Sequence, residues 1–240
     1  MKADPNDLTK LLNLQGLDTA IAHAKAKAAG LEVHQAIATL MKQRAAAADN
    51  LVAAKTALSD ATVAAERAEA DVTPVRERLA RNQARVDAGQ MDAKALGSAI
   101  EEIAHLKQRV SDLEDAELEA MEAVEIAGAQ LGQVAEQADQ IDQELRVQVD
   151  VRDAAVAELA AEAKALGQSR AELAGAIADD LMALYEKIRA RSNGVGVARF
   201  EGRRCLGCGL EATVTDQDSY MAAPPDQVLR CAECDRILVR

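Results

Sequence analysis

The sequence of 240 residues contains no tryptophan, one phenylalanine and two tyrosines. A domain of this length ordinarily fills its interior with Leu, Ile, Val and aromatic side chains at crystal-like density. That kind of interior is not encoded here. Proline is scarce too, and Pro74 is the only one between Pro5 and Pro224. No uncharged stretch approaches the roughly 20 apolar residues that cross a bilayer. The opening MKADPNDLTK lacks the apolar segment of a secretory signal. These absences predict a cytoplasmic protein with no membrane association. Lys and Arg (28) are outnumbered by Asp and Glu (40), a net charge of −12 that excludes a uniformly basic nucleic-acid binder.

Alanine is abundant, at 53 residues. It is the best helix former and a poor core filler, so it favours long helices in close contact over a compact globule. The rarer residues are unevenly spread. Cys205, Cys208, Cys231 and Cys234 are the only cysteines, and Tyr185, Phe200 and Tyr220 the only aromatics. Glycine also concentrates between 194 and 209. The sequence therefore divides near Ser192-Asn193-Gly194 into a helical part, 1–192, and a strand- and loop-like module, 193–240.

Within the helical part, Asp4-Pro5 provides an N-cap and a proline at the first helical position. Gly89 can close one helix and Asp92 can cap the next, which places a turn at 87–92. Pro74 is then expected to kink the first arm. Beyond the turn, stepping by seven from Ile103 passes Val110, Glu117, Val124, Leu131, Ala138, Leu145, Arg152, Leu159, Leu166 and Leu173. A companion row runs from Leu106 through Leu113, Ala120, Ala127, Val134, Ile141, Gln148, Ala155, Glu162 and Ser169. Heptads sustained this long argue for a coiled coil. The first arm has a patchier pattern through Leu17, Ile21, Ala24, Ala28 and Leu31. The expected fold is mainly α: a long antiparallel coiled-coil hairpin with arms of about 6–87 and 92–192, followed by a small β module. A parallel homodimer through the heptads is the rival. Pairing back from Gly89 puts residue 6 opposite about 173, leaving the end of the second arm to overhang and carry the module.

Cys205-Leu-Gly-Cys208 and Cys231-Ala-Glu-Cys234 are two CxxC pairs. Four thiolates in two such turns match the closed tetrahedral site of a structural Zn²⁺, one ion with no open position. A redox or disulfide role is the alternative, but no thioredoxin-like pattern surrounds either pair. The residue after each second cysteine often has positive φ, which suits Gly209 and is less usual for Asp235. A module this small and this poor in large apolar side chains needs such a staple. Val195–Phe200, Gln227–Arg230 and Ile237–Arg240 read as its strands, and Leu206, Leu210, Val228 and Ile237 as its core.

Three stretches, 85–122, 184–211 and 228–240, resemble a bacterial family with an N-terminal coiled-coil hairpin and a C-terminal C4-type zinc ribbon, most closely its actinobacterial branch. The resemblance implies the hairpin, the ribbon and the four cysteines as metal ligands. It also implies an adaptor role, since some relatives are associated with sigma factors of RNA polymerase or with RNA. A glycine commonly follows the last ligand in that family, where this chain has Asp235.

Charge is as uneven as composition. Residues 111–162 hold fifteen acidic and two basic side chains, either a solvated helix face or a docking surface for a basic partner. Near the module, Lys187, Arg189, Arg191, Arg199, Arg203 and Arg204 outnumber Glu186 and Glu201, and Arg230, Arg236 and Arg240 follow. With Phe200 as a stacking group, these side chains are candidates for contact with RNA or DNA. Cations in the last turns of a helix also complement its dipole, which is a local reason for Lys187, Arg189 and Arg191. No GxxxxGK[ST], HExxH or GxSxG motif is present, and Arg199 ends the partial match begun by Gly194-Val195-Gly196. The expectation is a non-enzymatic adaptor with no small-molecule substrate. It would contact nucleic acid or a transcription-related protein such as a sigma factor; a purely structural protein–protein spacer is the alternative.

Overall fold

The computed structural model describes residues 1–240. It comprises two compact units, one of Gln35–Val149 and one of Met1–His34 with Asp150–Arg240.

The first unit is a pair of antiparallel helices. Helix α2 (Val33–Asp87) runs to the tip and α3 (Ala93–Ala174) runs back from it. At the tip Gly89 has φ of +67°, a region open to glycine without steric cost. The Asp92 carboxylate accepts the Ala95 N–H at 2.8 Å and so caps α3. Pro74 lies inside α2, which continues through it as helix, and Val72 just before it is fully buried. Ile37, Leu40, Ala47, Ile103, Val110 and Ala127 are the other buried apolar side chains, a narrow seam of the kind that alanine-rich helices form. Within this unit every position of the first heptad row is buried or half-buried, Glu117 included. The row is covered by the chain's own α2, which removes the need for a parallel partner. Arg44–Asp142 (2.7 Å), Arg76–Glu114 (2.8 Å) and Arg78–Glu102 tie the helices in register. Exposed pairs of this kind add little stability each.

The second unit holds α1 (Pro5–Ala29), the end of α3, α4 (Asp179–Arg191) and the C-terminal module. Asp4 caps α1 by accepting the Asn6 N–H at 2.8 Å. The first arm is not one helix: α1 ends where the Gly30 N–H bonds the Ala26 carbonyl, and α2 starts at Val33. Nor is the second. At Gly175–Ala178 the chain tightens, with Ala176 and Ile177 N–H groups reaching the Leu173 and Ala174 carbonyls. The break turns Ile177 into the core, and Asp179 and Asp180 then start α4, where acidic side chains complement the helix dipole. Along α3 the companion heptad row also shifts. Glu162 and Ser169 are exposed, while Ala163, Arg170 and Ile177, one residue further on, are covered. A straight helix of 3.6 residues per turn drifts in this direction against a strict seven-residue repeat.

The expected overhang is replaced by a core. Asp7 accepts the Ala178 N–H at 3.4 Å and Lys10 donates to the Ala176 carbonyl at 2.8 Å, so the chain start pairs beyond residue 173. Leu8, Leu11 and Leu14 of α1 pack with Ile177, Leu181, Tyr185 and Ile188 and with Val197, Ile237 and Val239 of the sheet. Each such side chain contributes about 1.5–3 kcal/mol on burial. Residues 193–240 thus share their largest apolar cluster with helices from both ends of the sequence.

The sheet has the order β2-β1-β4-β3, built from β1 (Val197–Glu201), β2 (Arg204–Cys205), β3 (Leu229–Arg230) and β4 (Ile237–Val239). β1 and β4 are parallel; the other pairs are antiparallel. The chain start runs alongside it, with the Ala3 N–H on the Asp226 carbonyl at 2.8 Å and Val228 N–H on that of Met1 at 3.2 Å. A short helix not anticipated from the sequence, α5 (Val214–Ala222), lies between β2 and β3 and is capped by Thr213.

Candidate metal centre

The sheet holds the two CxxC turns face to face. Cys205 ends β2 and Cys231 follows β3, so each pair begins at a strand end. Gly209 N–H bonds the Cys205 carbonyl at 2.8 Å and Asp235 N–H that of Cys231 at 2.9 Å, closing two matching turns. Both closing residues are left-handed, Gly209 at φ +74° and Asp235 at +63°.

All four sulfurs lie within 4.8 Å of one another. Cys205 Sγ and Cys234 Sγ are 3.9 Å apart, as are Cys208 Sγ and Cys231 Sγ. A disulfide needs about 2.05 Å. An ion bonded to four sulfurs at about 2.3 Å in a tetrahedron sets them about 3.8 Å apart. The donor set and its spacing therefore fit one thiophilic ion. Cys205, Cys231 and Cys234 differ in acidity. Burial pushes Cys231 up to about 12 and raises Cys205 as well. Burial opposes ionisation of Cys234 too, but the backbone N–H and guanidinium of Arg236 bring it down to about 7.

A side chain at Gly207, inside the first turn, would force its neighbours to shift, because a Cβ there would lie 2.8 Å from Arg236 Cδ and 2.9 Å from Ala198 Cβ. Asp235 is held from both sides, its carboxylate accepting from Arg191 and Arg230. Two cations thus stabilise the turn in which a non-glycine residue is left-handed.

The other basic and aromatic candidates also have identifiable places. Arg189 pairs with Asp18 at 3.0 Å and with Glu186 at 3.0 Å, and its Nε is buried without a partner. Arg236 donates to the Val195 carbonyl at 3.0 Å and the Ser192 carbonyl at 3.1 Å, closing the end of α4. Arg240 donates to the Tyr220 carbonyl at 2.7 Å and the Pro224 carbonyl at 3.3 Å. Phe200 stands edge-on to Tyr220 with centroids 5.2 Å apart, inside the module's second apolar cluster. Arg203 donates to Gln217 at 2.8 Å, and Arg204 approaches the exposed Glu211 at 3.6 Å. Lys187 and Arg199 are exposed and form no ion pair. Leu206 and Leu210, expected in the core, are exposed at 55% and 53%. The first turn projects them, while Ile237 is fully buried and Val228 packs at the core's edge.

Sequence reasoning missed a buried polar cluster that joins the helices to the module. Gln15 and Asp18 of α1 are 7% and 4% exposed. Tyr185 donates to Asp18 at 2.7 Å, Arg170 donates to Asp18 at 2.8 Å, and Gly196 N–H donates to Gln15 Oε1 at 2.7 Å. Gln15 Nε2 in turn donates to the Gly194 carbonyl at 3.0 Å. Burial, then the Asp18 carboxylate, raises the Tyr185 hydroxyl well above the ordinary tyrosine range. A tyrosine in a nearly aromatic-free chain was the available signal, but Asp18 and Arg170 lie 152 residues apart.

Antiparallel helices joined to a four-cysteine sheet module define the class of protein. The model of the CT398-like coiled coil hairpin domain matches residues 14–193, and the chain belongs to that family. Proteins from two strains of Mycobacterium tuberculosis are 30% identical over all of this chain and 98% of their own length. A solved structure from Mycobacterium smegmatis is 32% identical, covers both chains in full and superposes with a TM-score of 0.87. CT398 of Chlamydia trachomatis shares the fold at 15% identity and a TM-score of 0.67, with 97% of each chain covered. The HP0958 protein of Helicobacter pylori does so at 12% and 0.53, over 99% of this chain and 98% of that one. No helix is long and apolar enough to cross a membrane.

Proposed function

We propose that the chain is a non-enzymatic adaptor whose four cysteines hold one structural Zn²⁺ and whose C-terminal ribbon is the contact surface. The observation that carries this reading is the closed set of four sulfurs at tetrahedral spacing. Four thiolate ligands saturate zinc and leave no position for water, so the ion supports the fold and not a reaction. The shared core and the Gln15–Asp18–Tyr185 cluster fix the ribbon to α1 and α4.

The exposed part of the β1–β2 hairpin and first turn carries Arg199, Arg203 and Arg204 together with Leu206 and Leu210. Apolar and cationic groups on one surface favour a protein partner with an acidic rim, such as a transcription- or RNA-handling protein. Direct contact with RNA or DNA is the second reading, and the exposed Lys187 and Arg199 favour it. Affinity capture by the full-length protein, with and without nuclease, separates the two. Retention after nuclease, lost on Leu206→Asp and Leu210→Asp, supports protein contact. Loss on nuclease treatment, with salt-sensitive RNA binding abolished by Arg199→Glu and Arg203→Glu, supports the second. Wild-type capture by both variant pairs would overturn the ribbon as the contact surface.

A further inference from the structure

The acidic stretch of α3 is not used by the ribbon, yet the fold gives part of it a definite shape. In the Gln35–Val149 unit, Thr62, Ala65, Glu66 and Glu69 of α2 face Glu117, Met121, Val124 and Glu125 of α3 across a groove of about 480 Å³. Two causes open it. Thr62 and Ala65 are too small to fill the seam, and Glu117 occupies a position of the first heptad row whose other members within this unit are apolar. The floor is apolar, from Ala65, Met121 and Val124. The rim is four glutamates, and no cation lines it. Glu117 has a distant partner in Arg76 at 3.6 Å, whereas Glu66, Glu69 and Glu125 form no ion pair. Met121 in the floor is 51% exposed, and Leu118, one helical turn before it, 58%.

An apolar floor between two helices suits a third helix laid into it, with anchors at i, i+3, i+4 and i+7. Three of the four carboxylates, Glu66, Glu69 and Glu125, have no counter-charge and select basic flanks for that helix. A solvated helix face explains glutamates; it does not explain why they border the place where the seam is under-filled and methionine and leucine stay exposed. The geometry points to a docking site for a basic amphipathic helix of a partner protein, separate from the ribbon. Lys or Arg of that helix would pair with Glu66, Glu69 and Glu125 while its apolar side chains covered Met121 and Val124. Binding of this kind weakens with salt, because the pairs are solvent-exposed.

The test uses the full-length protein and a fluorescein-labelled synthetic helix with leucine at i, i+3, i+4 and i+7 and lysine elsewhere. A scrambled peptide of the same composition and a version with glutamate for lysine serve as comparisons. Saturable binding is expected at low salt, at least about tenfold tighter than for either comparison peptide. The combined variant Glu66→Gln, Glu69→Gln, Glu125→Gln is expected to lose about tenfold, since each exposed pair is worth a fraction of a kcal/mol. Glu119→Gln with Glu122→Gln changes exposed charges that do not line the groove and should leave binding unaltered. Far-UV circular dichroism checks that the variants keep their helices. Equal binding of the scrambled peptide, or an equal loss in the control variant, would reduce the effect to general charge and overturn the site. Self-association abolished by the groove variant, with no peptide binding, would overturn it in favour of a second copy.

Discussion

Tyr185 donates its hydroxyl proton to Asp18 at 2.7 Å, with Gln15 Oε1 3.1 Å from the same oxygen, and Gly196 lies against its ring. These contacts make strong statements about single residues. A Cβ at Gly196 would lie 2.6 Å from Tyr185 Cδ2 and 2.9 Å from the Tyr185 carbonyl. Gly196→Ala is therefore expected to lower stability by about 1–3 kcal/mol in urea unfolding, through overpacking. Tyr185→Phe keeps the ring and removes the donor, leaving Asp18 short of a partner, at a cost of about 1–3 kcal/mol. The raised Tyr185 pKa adds a pH signature. Its folded value lies above the unfolded one, so the stability it supplies is complete below about pH 10 and declines as the unfolded tyrosine ionises above that. Unfolding free energies measured from pH 8 to 11 should fall less steeply in Tyr185→Phe. Asp235 offers a contrasting case. Asp235→Gly releases backbone strain while losing two ion pairs, whereas Asp235→Ala keeps the strain and loses the same pairs. Asp235→Ala should release metal to a chelator faster than Asp235→Gly, because the left-handed conformation costs alanine about 1–2 kcal/mol.

At the level of elements, the long helices were legible because their signals are local and repeated. The heptad row from Ile103 to Leu173 stays covered throughout, and Gly89 and Asp92 turn the chain where glycine and a capping acid are the usual means. Asp92→Ala is expected to cost about 1 kcal/mol by removing that cap. The breaks at 30–32 and 175–178 were not legible. Alanine-rich sequence continues through both; the first stops at the Gly30 cap, and at the second Ile177 and the α4 apolar face are drawn onto Leu8, Leu11 and Leu14. The leucine run of α1 looked like ordinary helix because its partners lie at the far end of the chain. Helix α5 had a readable start in Thr213 and Asp216, which hydrogen-bond at 2.6 Å, but nine residues give little periodicity to count. The cysteine spacing was the most legible feature of the site. The destination of the arginines was the least, since a basic residue in sequence does not disclose whether its partner is a phosphate or a carbonyl of the same chain. Arg236 and Arg240 bond backbone carbonyls, and Arg191 and Arg230 bond Asp235.

For the whole molecule, the proposed Zn²⁺ would hold a small sheet firmly enough to present a surface. The sheet also leans on the helices, so removing the metal should melt the turns around Cys205–Cys208 and Cys231–Cys234 while the long helices persist. In circular dichroism, a chelator at neutral pH is expected to leave most helical signal intact. Because the ligands must be deprotonated, acid should release the ion by protonating the thiolates. The most direct measurement is elemental analysis of native full-length protein together with titration of its thiols. One zinc per chain is expected, with four thiols that react only after a chelator is added. A chain purified without chelator that holds no zinc, and whose four thiols react freely while the ribbon stays folded, would contradict it.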